Sequence, residues 1–376
     1  MSDIKKIAIL TGGGDCSGLN AVIRGVTKTA INKYGYEVIG FIGGYHGLYM
    51  KEYVELTLDT VDGILSQGGT ILKNSNKDNL FNFRQKDENG KYYYSDQSDV
   101  AVKHLKELNV DALVIVGGDG TLTSARDFAR KGVKVVGVPK TIDNDVPATD
   151  ITFGYSTALD TIAHALDCLH TTAYSHDRVL LLEVMGRGAG WLALEGGIAG
   201  AADAILLPEI PYDVNKIVKH IEDRFNKGLK NSIVVVSEGA KPLGGEVAIK
   251  KIVADSPDSV RLGGAAEILA QQLEALLTTG QEVRSTNLGY VQRGGNTNCY
   301  DRVLGTRYGS FAADMVARGE FGRMAALQNT VMTTVSIEEV VGSGETGETS
   351  HGGGKMVNPD SEVVKAAKAI GICFGD

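Results

Sequence analysis

Short runs rich in Val, Ile and Leu recur along the chain, and each closes on a Gly-rich turn before a stretch with helical spacing. Residues 7–10, 112–116, 133–138, 179–184 and 233–236 are apolar throughout instead of alternating, as a strand buried on both faces requires. Between them, Ala158, Ile162, Ala165, Leu166 and Leu169 fall on one helical face, and residues 265–277 repeat that spacing. Strand, glycine turn and helix in this order predict parallel βα units. Ligands of such open sheets sit beyond the carboxyl ends of the strands, so the loops after the apolar runs are where chemistry is expected.

Two segments break the rhythm: 86–97, polar and rich in Tyr, reads as a surface excursion, and 342–354, built of Gly, Ser, Glu and Thr, as a mobile loop. No solenoid-length repeat interrupts the alternation. At 376 residues the chain exceeds the size at which one hydrophobic core stops growing. Two lobes with a cleft between them are therefore expected, with a crossing in the run 139–154.

Composition narrows the class. A hydrophobic share of 43% with 22% charged residues is that of a globular protein and excludes disordered or collagen-like chains. Neither a basic leader with an apolar stretch nor a run of about eighteen apolar residues is present, so a cytoplasmic protein without membrane contact is expected. Cys16, Cys168, Cys299 and Cys373 are scattered without CxxC spacing, which points to free thiols and neither a zinc site nor a disulfide framework. A formal charge of -8 argues against nucleic-acid binding, so an anionic substrate would need a local basic cluster.

Two loops carry phosphate-binding signals. Gly12-Gly13-Gly14-Asp15-Cys16-Ser17-Gly18 follows the first apolar run and opens a helix, placing backbone N–H groups and a helix amino terminus against an anion. It lacks GxGxxG, because Ser17 stands where the third glycine would be, and no Gly-Lys-Ser/Thr follows. By itself it reads equally as a phosphate loop or a tight βα turn. The second loop, Gly117-Gly118-Asp119-Gly120-Thr121, combines glycines that allow close backbone approach with one carboxylate able to hold Mg2+. The alternative for Asp119 is to cap the following helix.

Pro139-Lys140-Thr141-Ile142-Asp143-Asn144-Asp145 brings two carboxylates to i and i+2. An extended segment would project both to one side, where one can take a proton and the other support it, whereas an isolated Asp-Asn-Asp reads as an Asx-rich turn. GGDGT, PKTIDND, EVMGRGAGW and LGYVQRGG, in this order, closely resemble the phosphofructokinase family, with a likeness running from residue 7 to about 328. GGDGT alone is shared with NAD kinases and diacylglycerol kinases, which PKTIDND disfavours.

The resemblance implies the phosphofructokinase fold, two Rossmann-like lobes with mainly parallel sheets flanked by helices. A larger donor lobe would take residues 1–154 and about 293–342, and a smaller sugar-phosphate lobe 155–292 and about 343–376. It implies Asp143 as general base on the 1-hydroxyl of fructose 6-phosphate, supported by Asp145. Gly13, Gly118, Asp119, Gly120 and Thr121 would contact the donor phosphates, Asp119 would bind Mg2+, and Tyr45 would lie at the donor side or be a packed aromatic. Thr141, Ile142, Met185, Gly186, Arg187, Glu238, Arg178, Arg284, Tyr290 and Arg293 would bind the sugar phosphate, Tyr290 standing where many relatives have His. Arginine suits this task because its planar fork binds phosphate in a bidentate manner.

Gly120 leaves open the space that an Asp would deny to the α-phosphate of ATP, and so favours ATP over pyrophosphate. Lys140 is shared with pyrophosphate users, where it stabilises the departing phosphate. Asn76 stands where relatives usually carry an Arg that bridges the two phosphates, and Lys73 or Lys77 would have to substitute. That departure keeps open a weakly active or inactive homologue serving as a sugar-phosphate sensor or regulatory subunit. The resemblance further implies a homodimer or homotetramer in which Arg178 and Arg284 complete a neighbour's site.

Overall fold

A computed structural model describes residues 4–75, 78–252, 260–346 and 354–376. Its strands are β1 Lys6–Thr11, β2 Glu37–Phe41, β3 Tyr53–Glu55, β4 Phe83–Lys86, β5 Tyr92–Ser95, β6 Ala112–Gly117, β7 Val135–Pro139, β8 Val179–Val184, β9 Ala204–Leu206, β10 Ser232–Ser237, β11 Ile249–Ile252, β12 Val260–Leu262, β13 Val283–Asn287, β14 Arg323–Gln328 and β15 Val331–Ser336. The five apolar runs read from the sequence correspond to β1, β6, β7, β8 and β10. Each is buried along its whole length save Lys6, the first residue of β1. The chain folds as two compact units.

The first unit comprises Met1–Thr141, Val146–Ser156 and Arg293–Gly354. Its seven-stranded sheet has the order β15-β14-β7-β6-β1-β2-β3, parallel from β14 to β2 and antiparallel at both edges. The register decides where chemistry can happen. Thr11 lies opposite Val116, and Gly117 opposite Pro139, so β1, β6 and β7 end level and the three loops that follow emerge side by side. Leu10, Phe41, Leu113, Ile115 and Phe128 lie in the buried core of this unit. On the sheet, helix Leu19–Tyr34 approaches helix Cys299–Arg318 closely enough that a Cβ on Gly309 would stand 2.3 Å from the Val22 carbonyl.

The second unit comprises Ile142–Asp145, Thr157–Gln292 and Lys355–Asp376. Its sheet, β13-β8-β10-β9, is wholly parallel, with Leu181, Val234, Val236 and Leu269 in its core. Glu183 is buried within β8 and accepts hydrogen bonds from the backbone of Gly264 (3.0 Å) and Ala266 (2.9 Å) and from the Asn287 side chain. A carboxylate at the amino end of helix Ala265–Leu276 is favourably placed against its dipole.

The Tyr-rich stretch is an ordered antiparallel hairpin, β4 with β5, that exposes Tyr92, Tyr93 and Tyr94. Of the segment expected to be mobile, residues 347–353 lie outside the described part. The carbonyls of Gly342 and Glu345 accept hydrogen bonds from Arg126, and those of Ser343 and Gly344 from Arg130.

Candidate active site

Three loops of the first unit converge at the level ends of β1, β6 and β7. Gly13 is left-handed (φ 76°), and its N–H donates to the Ser75 carbonyl at 3.2 Å. Thr121 is wrapped by glycine: a Cβ on Gly12 would stand 2.8 Å from its Cγ2, and one on Gly117 only 2.3 Å from its Cβ. Only glycine permits that approach. Lys140, 5% exposed, follows β7, and its Nζ reaches to 3.3 Å from where a Gly13 Cβ would be. Arg293 packs against Gly14, whose Cβ would fall 2.0 Å from the guanidinium. At the glycine loops stand two cations, Lys140 and Arg293, and two helix amino termini.

Asp119 is the first residue of helix Asp119–Arg130, and Gly118 occupies the N-cap position, so Asp119 does not cap this helix. Partly exposed at the carboxyl end of β6 and beside Gly120, its carboxylate fits a cation that keeps most of its water ligands, as Mg2+ does. No group of three or more His, Cys, Asp or Glu that could hold a metal ion exists among the described residues. Tyr45 is 4% exposed, stacks on Phe128, and donates its hydroxyl to the Thr121 carbonyl at 2.8 Å. Burial raises its pKa well above the usual tyrosine value, so the hydroxyl remains a donor that braces the loop from beneath. Exposed Lys73 is left-handed (φ 56°), and its carbonyl accepts from Thr11 Oγ1. Asn76 and Lys77 lie outside the described residues.

In the second unit, Asp143 is 7% exposed and Ile142 is buried. The extended geometry expected for the carboxylate pair does not hold. Asn144 takes φ 53°, which breaks the two-residue alternation and turns the chain between Asp143 and Asp145. Asparagine tolerates this left-handed conformation better than most residues. Thr141, at the end of the first unit's segment, accepts from Thr152 Oγ1 at 2.8 Å.

Beyond the carboxyl ends of β8 and β10 the register sets Val184 opposite Ser237, bringing Met185, Gly186 and Arg187 to Glu238. The Arg187 N–H donates to Glu238 Oε1 at 3.1 Å, while the Met185 N–H donates to Gln292 Oε1 at 3.3 Å. Gly186 has φ 134°, and a Cβ there would stand 2.6 Å from the Ala189 carbonyl. Arg178 and Arg284 are not gathered with this group. They stand at the amino ends of β8 and β13, the opposite edge of the same sheet, and both pair with Glu282. Tyr290 is exposed, in the turn before Arg293.

One polar group escaped the reading of the sequence. The side-chain amide of Asn74 is buried with no hydrogen-bond partner among the described residues, beside Lys73 and the Ser75 carbonyl that holds Gly13. Desolvating an unpaired amide costs free energy that a ligand group could recover. No motif marks it, because its charged neighbours carried the signal.

Glycine loops, helix amino termini, cations and one carboxylate at the ends of parallel strands define a phosphoryl-transfer protein of the α/β class. Residues 6–316 match the family described as Phosphofructokinase. The chain is 60% identical over 376 residues to ATP-dependent 6-phosphofructokinase 2 of Clostridium perfringens, covering 100% of both. It is 44% identical over 373 residues to ATP-dependent 6-phosphofructokinase of Chloroflexus aggregans, covering 99% of this chain and 98% of that one. The solved phosphofructokinase of Saccharomyces cerevisiae superposes with a TM-score of 0.75 at 30% identity, over 89% of this chain and 45% of the yeast chain. The chain belongs to the phosphofructokinase family.

Proposed function

We propose that this chain transfers the γ-phosphoryl group of ATP to the 1-hydroxyl of fructose 6-phosphate, giving fructose 1,6-bisphosphate in glycolysis. The observation that carries the donor assignment is Gly120, which leaves the space beside Asp119 without a side chain; relatives at 60% and 44% identity named as ATP-dependent agree with it. Donor phosphates bind the first unit through Gly13, Gly118, Gly120 and Thr121, with Lys140 supplying charge. Asp119 would hold Mg2+, which supplies neutralisation of phosphate charge when bound. Asp143 accepts the proton of the 1-hydroxyl, and Asp145 supports that carboxylate. Thr141, Met185, Gly186, Arg187 and Glu238 orient the sugar phosphate, so the rate derives from positioning and electrostatics, with no covalent intermediate on the protein.

Arg178 and Arg284 stand at the edge of their sheet opposite Arg187 and Glu238, which favours a role in the site of a neighbouring subunit. The proposed assembly is therefore a homodimer or homotetramer, acting in the cytoplasm. No helix among the described residues is long and apolar enough to cross a membrane. Carbon and phosphorus NMR of the product formed from fructose 6-phosphate, ATP and Mg2+ tests the reaction. A new phosphomonoester on C1 is expected, and consumption of ATP without a phosphorylated sugar would overturn the reading.

A further inference from the structure

The tail that follows residue 354 enters the second unit at Lys355, which touches two parts of the catalytic machinery at once. Its backbone N–H donates to the Asp145 carbonyl at 2.7 Å, and its Nζ donates to Asn144 Oδ1 at 3.2 Å. Those two bonds fall on the left-handed residue that turns the chain immediately after Asp143 and on the residue that follows it. The Lys355 carbonyl in turn accepts from Trp191 Nε1 at 2.5 Å, and its ammonium lies over the Trp191 ring, 5.4 Å from the centroid. Two residues on, the Val357 N–H donates to Glu209 Oε1 at 2.8 Å, the oxygen that also accepts from Gly190 N–H at 2.9 Å.

The Asp143 turn and the loop from Met185 to Trp191 are thus joined by one lysine of the tail. We infer that Lys355 is a positioning residue for phosphoryl transfer, fixing the Asp143 turn against the loop that carries Met185, Gly186 and Arg187. A left-handed residue persists only where its surroundings over-determine it, and here the tail supplies two of the bonds that do so. Without the side-chain bond, the turn can relax and carry the base away from the hydroxyl. A base displaced by a fraction of an ångström loses rate without losing affinity for the sugar, because the proton transfer it assists occurs only in the transition state.

This inference rests on the proposed reaction, and activity of the unaltered protein in the same assay establishes that reaction independently. The experiment compares full-length Lys355→Met and Lys355→Arg with the unaltered protein in steady-state kinetics, thermal unfolding and emission of Trp191, the only tryptophan of the chain. For Lys355→Met, kcat is expected to fall roughly tenfold to a hundredfold, with the KM for fructose 6-phosphate changed less than about threefold. The Trp191 emission shifts because the ammonium leaves the ring, while the unfolding temperature is retained. Lys355→Arg, which keeps a cation and a donor, recovers a large part of kcat. An unchanged kcat, a rise in KM alone, or a loss of kcat that follows the unfolding temperature and is not relieved by Lys355→Arg would overturn the assignment.

Discussion

Cys16 sits in the glycine loop that follows β1. Its side chain is fully buried behind Gly14 and Asp15, with Sγ near the Phe153 carbonyl. Burial pushes the thiol up to about 12, although Lys140 and Arg293 pull the other way. It therefore stays protonated across the working range of the enzyme. Alkylation followed by mass spectrometry should modify exposed Cys168 and Cys299 and leave Cys16 untouched until the protein unfolds. Early labelling of Cys16 would contradict this burial. At this scale the sequence was informative about residue types and less so about conformation. Asp143 and Asp145 stand out by spacing, and of the two conformations that Asp-Asn-Asp offered, extended or an Asx-rich turn, the left-handed Asn144 departs from the extended one. Lys355 carried no signal at all, since its partners lie more than 150 residues away in the chain.

The order of elements was legible because parallel strands buried on both faces must be apolar at every position, and β1, β6, β7, β8 and β10 all are. The edges were not. β3 has three exposed residues and β15 alternates only weakly, so neither leaves a clear hydrophobic pattern. Register likewise depends on the packing of whole strands, yet it is register that brings the Gly12–Gly14, Gly117–Thr121 and Lys140 loops level. Gly117→Ala tests this arrangement. The new Cβ would meet Thr121 Cβ at 2.3 Å, and both belong to structure that cannot swing aside. Such overpacking should cost about 1–3 kcal/mol of stability. Displacement of Thr121 should also raise the KM for ATP more than that for fructose 6-phosphate. A variant with native stability and native KM values would show that the loop does not require glycine there.

At the level of the whole molecule, the candidate residues divide between the two units. The glycine loops, Asp119 and Lys140 belong to the first, and Asp143, Arg187 and Glu238 to the second. The donor lobe expected from the family motifs, residues 1–154, had contained Asp143, whereas contacts group Ile142–Asp145 with the second unit. Arg178 and Arg284 stand at the amino ends of β8 and β13, away from Arg187, and the role proposed for them lies in a partner's site. Subunit mixing tests that role. Asp143→Asn lacks its base and Arg178→Ala lacks its donated cation, so each alone should be nearly inactive. Hybrids formed by co-refolding should regain activity, because one site of the pair combines an intact Asp143 with an intact Arg178 from its neighbour. No gain on mixing would mean that each chain builds its site alone.

We propose that the open space at Gly120, and not the ammonium of Lys140, sets the phosphoryl donor. It is tested most directly by the ratio of kcat/KM for ATP to that for pyrophosphate, measured with fructose 6-phosphate and Mg2+ at one salt concentration. A clear preference for ATP is expected, reversed or strongly reduced in Gly120→Asp, whose carboxylate would occupy and repel the α-phosphate. A preference for pyrophosphate in the unaltered protein would contradict it, leaving the fold and the sugar acceptor in place while transferring donor choice to Lys140.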